Sequence, residues 1–244
     1  MRQDIRVLEP EYLDEGDGAK AYRLLPNEGE HLDPFVLFDE YLITPDASFP
    51  MHPHGGFEGF QFLMEGSTEY SDNRGNTGLI RAGWARRFVP ADGFMHSETP
   101  RHDGTTRGYL LWIKLPGDIE PDAPLFKETD PSGIPLTDDG RILMKRVLGE
   151  GSALETFTPV VMEVLKTRED AVYEITVEGD HNGFIYVSQG KASVGGLEVY
   201  GKKGAVLSPG TSSQLQLEAG TEMVFVKGKR LGEEIVQEGH FVKS

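Results

Sequence analysis

Apolar residues along this chain come in short runs broken by turn-forming residues. Phe60-Gln-Phe-Leu-Met, Thr77-Gly-Leu-Ile-Arg, Arg87-Phe-Val and Gly108-Tyr-Leu-Leu-Trp-Ile-Lys-Leu are such runs. Between them lie Asp72-Asn-Arg-Gly-Asn and Pro90-Ala-Asp-Gly, where Asn, Asp or Gly can take the positive φ of a tight turn. No long apolar stripe with a period of 3.6 residues occurs. Short runs at roughly 8–12-residue spacing predict β-strands arranged as a barrel or sandwich.

After Leu115 the texture changes. Pro116-Gly-Asp-Ile-Glu-Pro-Asp-Ala-Pro and then Asp130-Pro-Ser-Gly-Ile-Pro read as a connecting segment. Strand-like runs resume with Ile142-Leu-Met-Lys-Arg-Val-Leu, Val160-Val-Met-Glu-Val-Leu, Gly183-Phe-Ile-Tyr-Val and Met223-Val-Phe-Val. The expected organisation is an N-terminal domain over residues 1–125, a linker over 126–140 and a C-terminal domain over 141–244. Two turns recur across the halves. Phe62-Leu-Met-Glu-Gly-Ser resembles Tyr186-Val-Ser-Gln-Gly-Lys, and Ile80-Arg-Ala-Gly resembles Leu207-Ser-Pro-Gly. This weak internal duplication predicts two similar β barrels in tandem.

Composition narrows the function classes. With 244 residues, the chain can bury a sizeable core as one large β domain or two ordinary ones. Lys plus Arg total 24 against 40 Asp plus Glu, a formal charge of −16, so a nucleic-acid backbone is repelled by the average field. The densest basic cluster, Arg81 with Arg86 and Arg87, sits in a strand pattern and reads as a solvated face or as ion pairs. The absence of cysteine removes disulfides, thiolate nucleophiles and cysteine-ligated metals. Neither a signal-type apolar segment behind Met1 nor a window approaching about 18 apolar residues is present, so a cytoplasmic, membrane-free monomer is expected.

Candidate chemistry is concentrated in two short stretches. Ser48-Phe-Pro-Met-His-Pro-His-Gly-Gly-Phe-Glu-Gly holds His52 and His54, two of only seven histidines. Residues i and i+2 of a strand face the same way, so both imidazoles can enter one cavity. Pro53 cannot donate to a ladder and places the pair at an edge, a strand start or a bulge. Gly93-Phe-Met-His-Ser-Glu supplies a second such pair, His96 and Glu98. Three imidazoles and a carboxylate suit Fe(II), Mn, Co, Ni, Cu or Zn rather than the oxygen cage of Ca²⁺. On an octahedral ion they leave two positions open.

His52-Pro-His-Gly-Gly-Phe-Glu followed by Leu63-Met-Glu-Gly resembles the first cupin motif in the form found in the pirin family. Gly93-Phe-Met-His-Ser-Glu-Thr-Pro is similar to that family's second motif. Leu32-Asp-Pro-Phe-Val-Leu-Phe-Asp-Glu-Tyr, Leu111-Trp-Ile-Lys-Leu-Pro and the tail Glu234-Ile-Val-Gln-Glu-Gly-His-Phe-Val resemble further family segments. The resemblance implies an all-β bicupin, two antiparallel jelly-roll barrels with one metal, usually iron, in the N-terminal barrel only. By position it makes His52, His54, His96 and Glu98 the ligands, with Fe(II) the expected ion. Glu58 stands at the acidic position of the general cupin pattern and is expected beside the ligands, or as an alternative ligand. Gly55 occupies a position where many members carry Arg, a change expected to widen the entrance.

The resemblance also implies quercetin 2,3-dioxygenase chemistry on a flavonol and O₂, with Glu98 or Glu58 accepting the substrate proton. Phe57, Phe60, Phe62, Phe88, Phe94 and Met95 are candidate pocket walls. The competing function is a non-enzymatic, redox-responsive regulator that binds a protein partner. His181 and His240, the histidines of the second half, are expected to lie outside the metal site.

Overall fold

The protein is described here by a computed structural model covering residues 5–14, 18–26 and 28–243. Strands dominate, as the short runs predict; one turn of 3-10 helix, Pro131–Gly133, is the helical element among the described residues. No helix among them is long and apolar enough to cross a membrane.

Two compact units form, and their membership does not follow sequence order. One comprises Glu11–His31, Phe35–Ser132 and Glu233–Ser244; the other comprises Met1–Pro10, Leu32–Pro34 and Gly133–Gly232. The expected division into 1–125, 126–140 and 141–244 therefore misses two exchanges. Ile5–Leu8 pairs with Lys203–Leu207, in the sheet of the second half. Conversely, the C-terminal hairpin Val236–Glu238 and Phe241–Lys243 joins the first half. Its approach is fixed by Lys114 Nζ against Glu233 at 3.0 Å and by burial of Val242 among Val36, Leu37, Phe57, Phe88, Phe94 and Trp112.

Each unit is built from two antiparallel sheets. In the first, a seven-stranded sheet runs in the order Leu125–Thr129, Ala85–Val89, Phe57–Glu65, Thr106–Lys114, Phe35–Ile43, Ala19–Leu25, Glu11–Asp14. Its companion has four strands, Phe49–Pro53, Met95–Pro100, Ser67–Asp72 and Thr77–Arg81. The second unit repeats the plan: seven strands ordered Ile5–Leu8, Lys203–Leu207, His181–Gln189, Glu222–Lys229, Val160–Thr167, Ile142–Leu148, Leu136–Asp138, and four ordered Ala171–Thr176, Ser212–Leu217, Lys191–Val194, Leu197–Tyr200.

Turn chemistry fits the duplication in one of the two places anticipated. Gly66, after Phe57–Glu65, and Gly190, after His181–Gln189, lie at equivalent turns with φ of 83° and 78°. The Ile80 and Leu207 turns are not equivalent, because the first precedes Ala85–Val89 whereas the second follows that strand's counterpart, Lys203–Leu207.

Candidate metal centre

His52 lies on Phe49–Pro53, an edge strand, where the missing N–H of Pro53 costs the ladder least. Directly opposite is His96 on Met95–Pro100. His54 falls just past the edge strand, and its backbone N–H donates to the Phe94 carbonyl at 3.2 Å. One ring nitrogen from each histidine forms a group whose members all lie within 4.8 Å of one another. Ring centroids are 4.6 Å apart for His52–His54 and His52–His96, and 4.7 Å for His54–His96.

The polar atoms of this group lack the partners that burial normally demands. His52 donates from Nδ1 to the Pro50 carbonyl at 2.8 Å, which leaves Nε2 with its lone pair, and His96 Nε2 stands 3.2 Å from it. The Nδ1 atoms of His54 and His96 are buried without hydrogen-bond partners. Burial first, then the neighbouring His52 and His240, lowers the pKa of His54 to about 2. Burial, then His54 and His52, pushes His96 in the same direction. Neutral imidazoles are the ligand form, and a carbonyl behind one of them is the usual device for fixing its tautomer. A divalent cation therefore fits the donors that are present: metal–nitrogen bonds of about 2.1 Å place adjacent imidazole centroids roughly 4.5 Å apart.

These histidines line a cavity of about 410 Å³. Phe49, Phe88, Leu37, Leu110 and Trp112 provide apolar wall; Tyr41, Gln61, Glu98 and the Arg23–Asp39 pair provide polar wall. Gln61 donates to the Tyr41 hydroxyl at 2.8 Å, leaving the Tyr41 proton to donate elsewhere. Burial, followed by the Glu98 carboxylate, raises the Tyr41 pKa well above the ordinary phenol value, so it stays neutral. Trp112 stacks on Phe57 at 3.9 Å between centroids, and its buried Nε1 has no hydrogen-bond partner.

Of the residues predicted from sequence, the structure brings together His52, His54 and His96. Glu98 lines the same cavity but stands outside the group of close ligand atoms. The pairing register shifts between His96 and Glu98, and Glu98 Oε1 faces Arg86 Nη1 at 3.5 Å. Arg86 is fully buried, 3.6 Å from the Tyr70 ring centroid, with Glu128 3.9 Å away as its other counter-charge. Withdrawing Glu98 would leave a buried cation poorly compensated. The basic cluster is thus ion-paired rather than solvated at Arg86 and Arg87.

Glu58 is a clear correction. It is fully buried, three positions from cavity-lining Gln61 on one strand and so on the opposite face, where it accepts from Arg87 Nε. It does not line the cavity. Among the aromatic candidates only Phe88 lines it. Phe57 and Phe94 back it, at 5.4 Å from the His54 and His96 rings respectively.

His240 is the residue that sequence reasoning placed elsewhere. The C-terminal hairpin carries it to the cavity mouth, 5.5 Å from the His52 ring and 5.2 Å from that of His54. A signal existed: two apolar pairs, Ile235-Val236 and Phe241-Val242, flank a Gly-containing turn beyond Glu222–Lys229, but nothing local says which unit they join. Tyr41, Gln61, Arg23 and Asp39 were also unmarked, since a polar residue inside an apolar strand has no motif of its own.

Known proteins place the chain in a family. The pirin family model matches residues 18–113, and the model of the pirin C-terminal cupin domain matches residues 163–244. Pirin of Mus musculus is 31% identical over 240 residues, 93% of this chain and 83% of that protein. In fold, the chain is similar to a quercetin 2,3-dioxygenase from Acinetobacter baumannii, with a TM-score of 0.87 and 24% identity, covering 98% of this chain and 91% of the other. The bacterial pirin YhhW of Escherichia coli, solved in complex with nickel(II), superposes with a TM-score of 0.75 at 15% identity, covering 93% and 99%. This chain belongs to the pirin family and carries two cupin-type domains.

Proposed function

We propose that the protein is a metal-dependent cupin dioxygenase that cleaves flavonols such as quercetin with O₂. The observation that supports this best is the convergence of three imidazoles on one wall of a cavity whose remaining walls are aromatic and carry hydrogen-bond donors. The cavity falls in the range of about 300–1,000 Å³ typical of small-molecule sites. A divalent ion held by His52, His54 and His96, Fe(II) in this reading, supplies Lewis acidity towards an enolic hydroxyl when bound.

The chain's own residues do the rest. Glu98 accepts the proton of the flavonol 3-hydroxyl at a carboxylate oxygen, the role left to it once Glu58 is turned away. Trp112 and Phe88 offer faces to the aromatic rings. Tyr41, kept neutral, and the indole N–H of Trp112 donate to substrate oxygens and set the orientation. Both atoms of O₂ enter the cleaved product and one ring carbon leaves as carbon monoxide, so the balance needs no external reductant. The Acinetobacter baumannii neighbour bears the name of this activity.

The test is protein reconstituted with Fe(II), and in parallel with Ni(II), given quercetin in air. Loss of the flavonol absorption band with stoichiometric carbon monoxide is expected, and Glu98→Gln should lower kcat by 100-fold or more, about 2.7 kcal/mol of barrier. Absence of turnover with either metal bound would refute the enzymatic reading.

A further inference from the structure

We propose that Arg86 is a positioning residue of the metal centre. Acting through Glu98, its buried charge weakens carboxylate donation and holds bound iron in the ferrous state. The proposal rests on reading His52, His54 and His96, with Glu98 beside them, as a metal centre. It does not depend on which reaction that centre performs.

Strand parity brings the guanidinium to the site. Arg86 and Phe88 are two apart on Ala85–Val89 and share one face, whereas Arg87 between them turns to Glu58 on the other. Phe88 lines the cavity. Glu98 and Tyr70 are register partners on neighbouring strands of the four-stranded sheet. Arg86 meets both, with its guanidinium 3.6 Å from the Tyr70 ring centroid and Nη1 3.5 Å from Glu98 Oε1.

Close pairing does not neutralise this charge. Arg23, on the same cavity, is held by Asp39 through two bonds of 3.0 and 2.7 Å, and Arg146 by Glu163 at 3.0 and 2.9 Å. Arg86 is more deeply buried than either, yet its acids, Glu98 and Glu128, stand at 3.5 and 3.9 Å. Its Nε and Nη2 have no hydrogen-bond partner. Part of the guanidinium field therefore falls on the Glu98 carboxylate, in surroundings that screen it weakly.

The second unit lacks this arrangement. Counting from Gly66 and Gly190, Gln61 and its partner Arg86 correspond to Ile185 and its partner Ala205, both in an apolar core. A buried cation is thus no requirement of the fold; it accompanies the histidines. A carboxylate that shares its charge with a guanidinium donates less to an ion held with them. The loss is greater for Fe(III) than for Fe(II), because the higher charge depends more on an anionic donor, so Arg86 raises the reduction potential.

Redox titration of the iron-loaded protein reads the midpoint potential. Arg86→Gln should lower it by about 59 mV or more, a tenfold gain in preference for Fe(III). Arg86→Lys, which keeps the charge, should stay nearer the parent. Glu128→Gln removes the other counter-charge without touching the cavity and should shift the potential upward. A merely structural Arg86 would not give this pair of opposite shifts. An unchanged midpoint in Arg86→Gln, or no upward shift in Glu128→Gln, overturns the proposal while leaving the three-histidine centre intact. The second variant decides alone if the first does not fold. Failure of the unaltered protein to bind iron would overturn the centre as well.

Discussion

The two units share one topology and differ in what fills it. Pro53 pairs with Met95 at the end of one strand pair, and Thr176 pairs with Ser212 at the equivalent end of the other. Just beyond, the His54 N–H donates to the Phe94 carbonyl and the Val177 N–H to the Thr211 carbonyl, at 3.2 and 2.8 Å. Counting from these landmarks, His52, His54, His96 and Glu98 correspond to Ile175, Val177, Ser213 and Leu215. Ile175, Val177 and Leu215 belong to a continuous apolar core. The same backbone therefore closes on itself when its inward positions are apolar, and opens a donor-lined cavity when they are imidazoles. The histidine group is a set of side chains placed on a scaffold that folds in the second unit without them. In the first unit the Nδ1 atoms of His54 and His96 are buried without partners, a cost that the second unit avoids.

Exchanging the inward residues should break this symmetry in opposite directions. The largest effect belongs to His96→Ala, expected to weaken Co(II) binding more than 100-fold by removing a converging donor, as measured by chelator competition. His181→Ala, from the second unit, should leave binding unchanged. The second effect runs the other way: Val177→His should lower stability by about 3 kcal/mol in denaturant unfolding, because an imidazole there is both oversized and without partners. It should create no metal site, since Ile175 and Leu215 offer no donors. A Val177→His protein as stable as the parent would show that the second core has room and polarity not evident in its packing.

How much of this could be read from sequence depends on the range of the interaction that decides it. Strand runs, turns and the His52/His54 pairing are local, and they were legible because the period of two and the turn residues are local too. The meeting of His96 with the pair was legible through a motif. Glu58 misled because its position along the motif is that of a ligand, whereas its parity on Phe57–Glu65 turns it towards Arg87. Glu98 was placed in the right cavity, but the pull of Arg86 depends on a buried cation that nothing in the local pattern marks as buried. His240 was lost for a different reason. The two chain ends trade units, and which sheet an end joins is settled by long-range packing of residues such as Val242.

The equivalent turns at Gly66 and Gly190 allow the smallest and most discriminating comparison. Both glycines hold φ near +80°, where an L-residue costs about 1–2 kcal/mol. Their surroundings differ. A Cβ on Gly66 would meet the end of the His102 side chain, Nε2 at 2.0 Å, whereas one on Gly190 would meet the Thr221 backbone, Cα at 2.7 Å. The His102 ring can swing aside, giving up its contacts with Thr106 Oγ1 and the Gly104 N–H, each 3.0 Å. The Thr221 backbone cannot, because its N–H donates to Thr167 Oγ1 and its neighbours pair within a central strand. Gly190→Ala should therefore cost about 1 kcal/mol more than Gly66→Ala in denaturant unfolding. Equal costs would mean that strain at positive φ dominates and that the turn surroundings, which distinguish the two units here, contribute nothing.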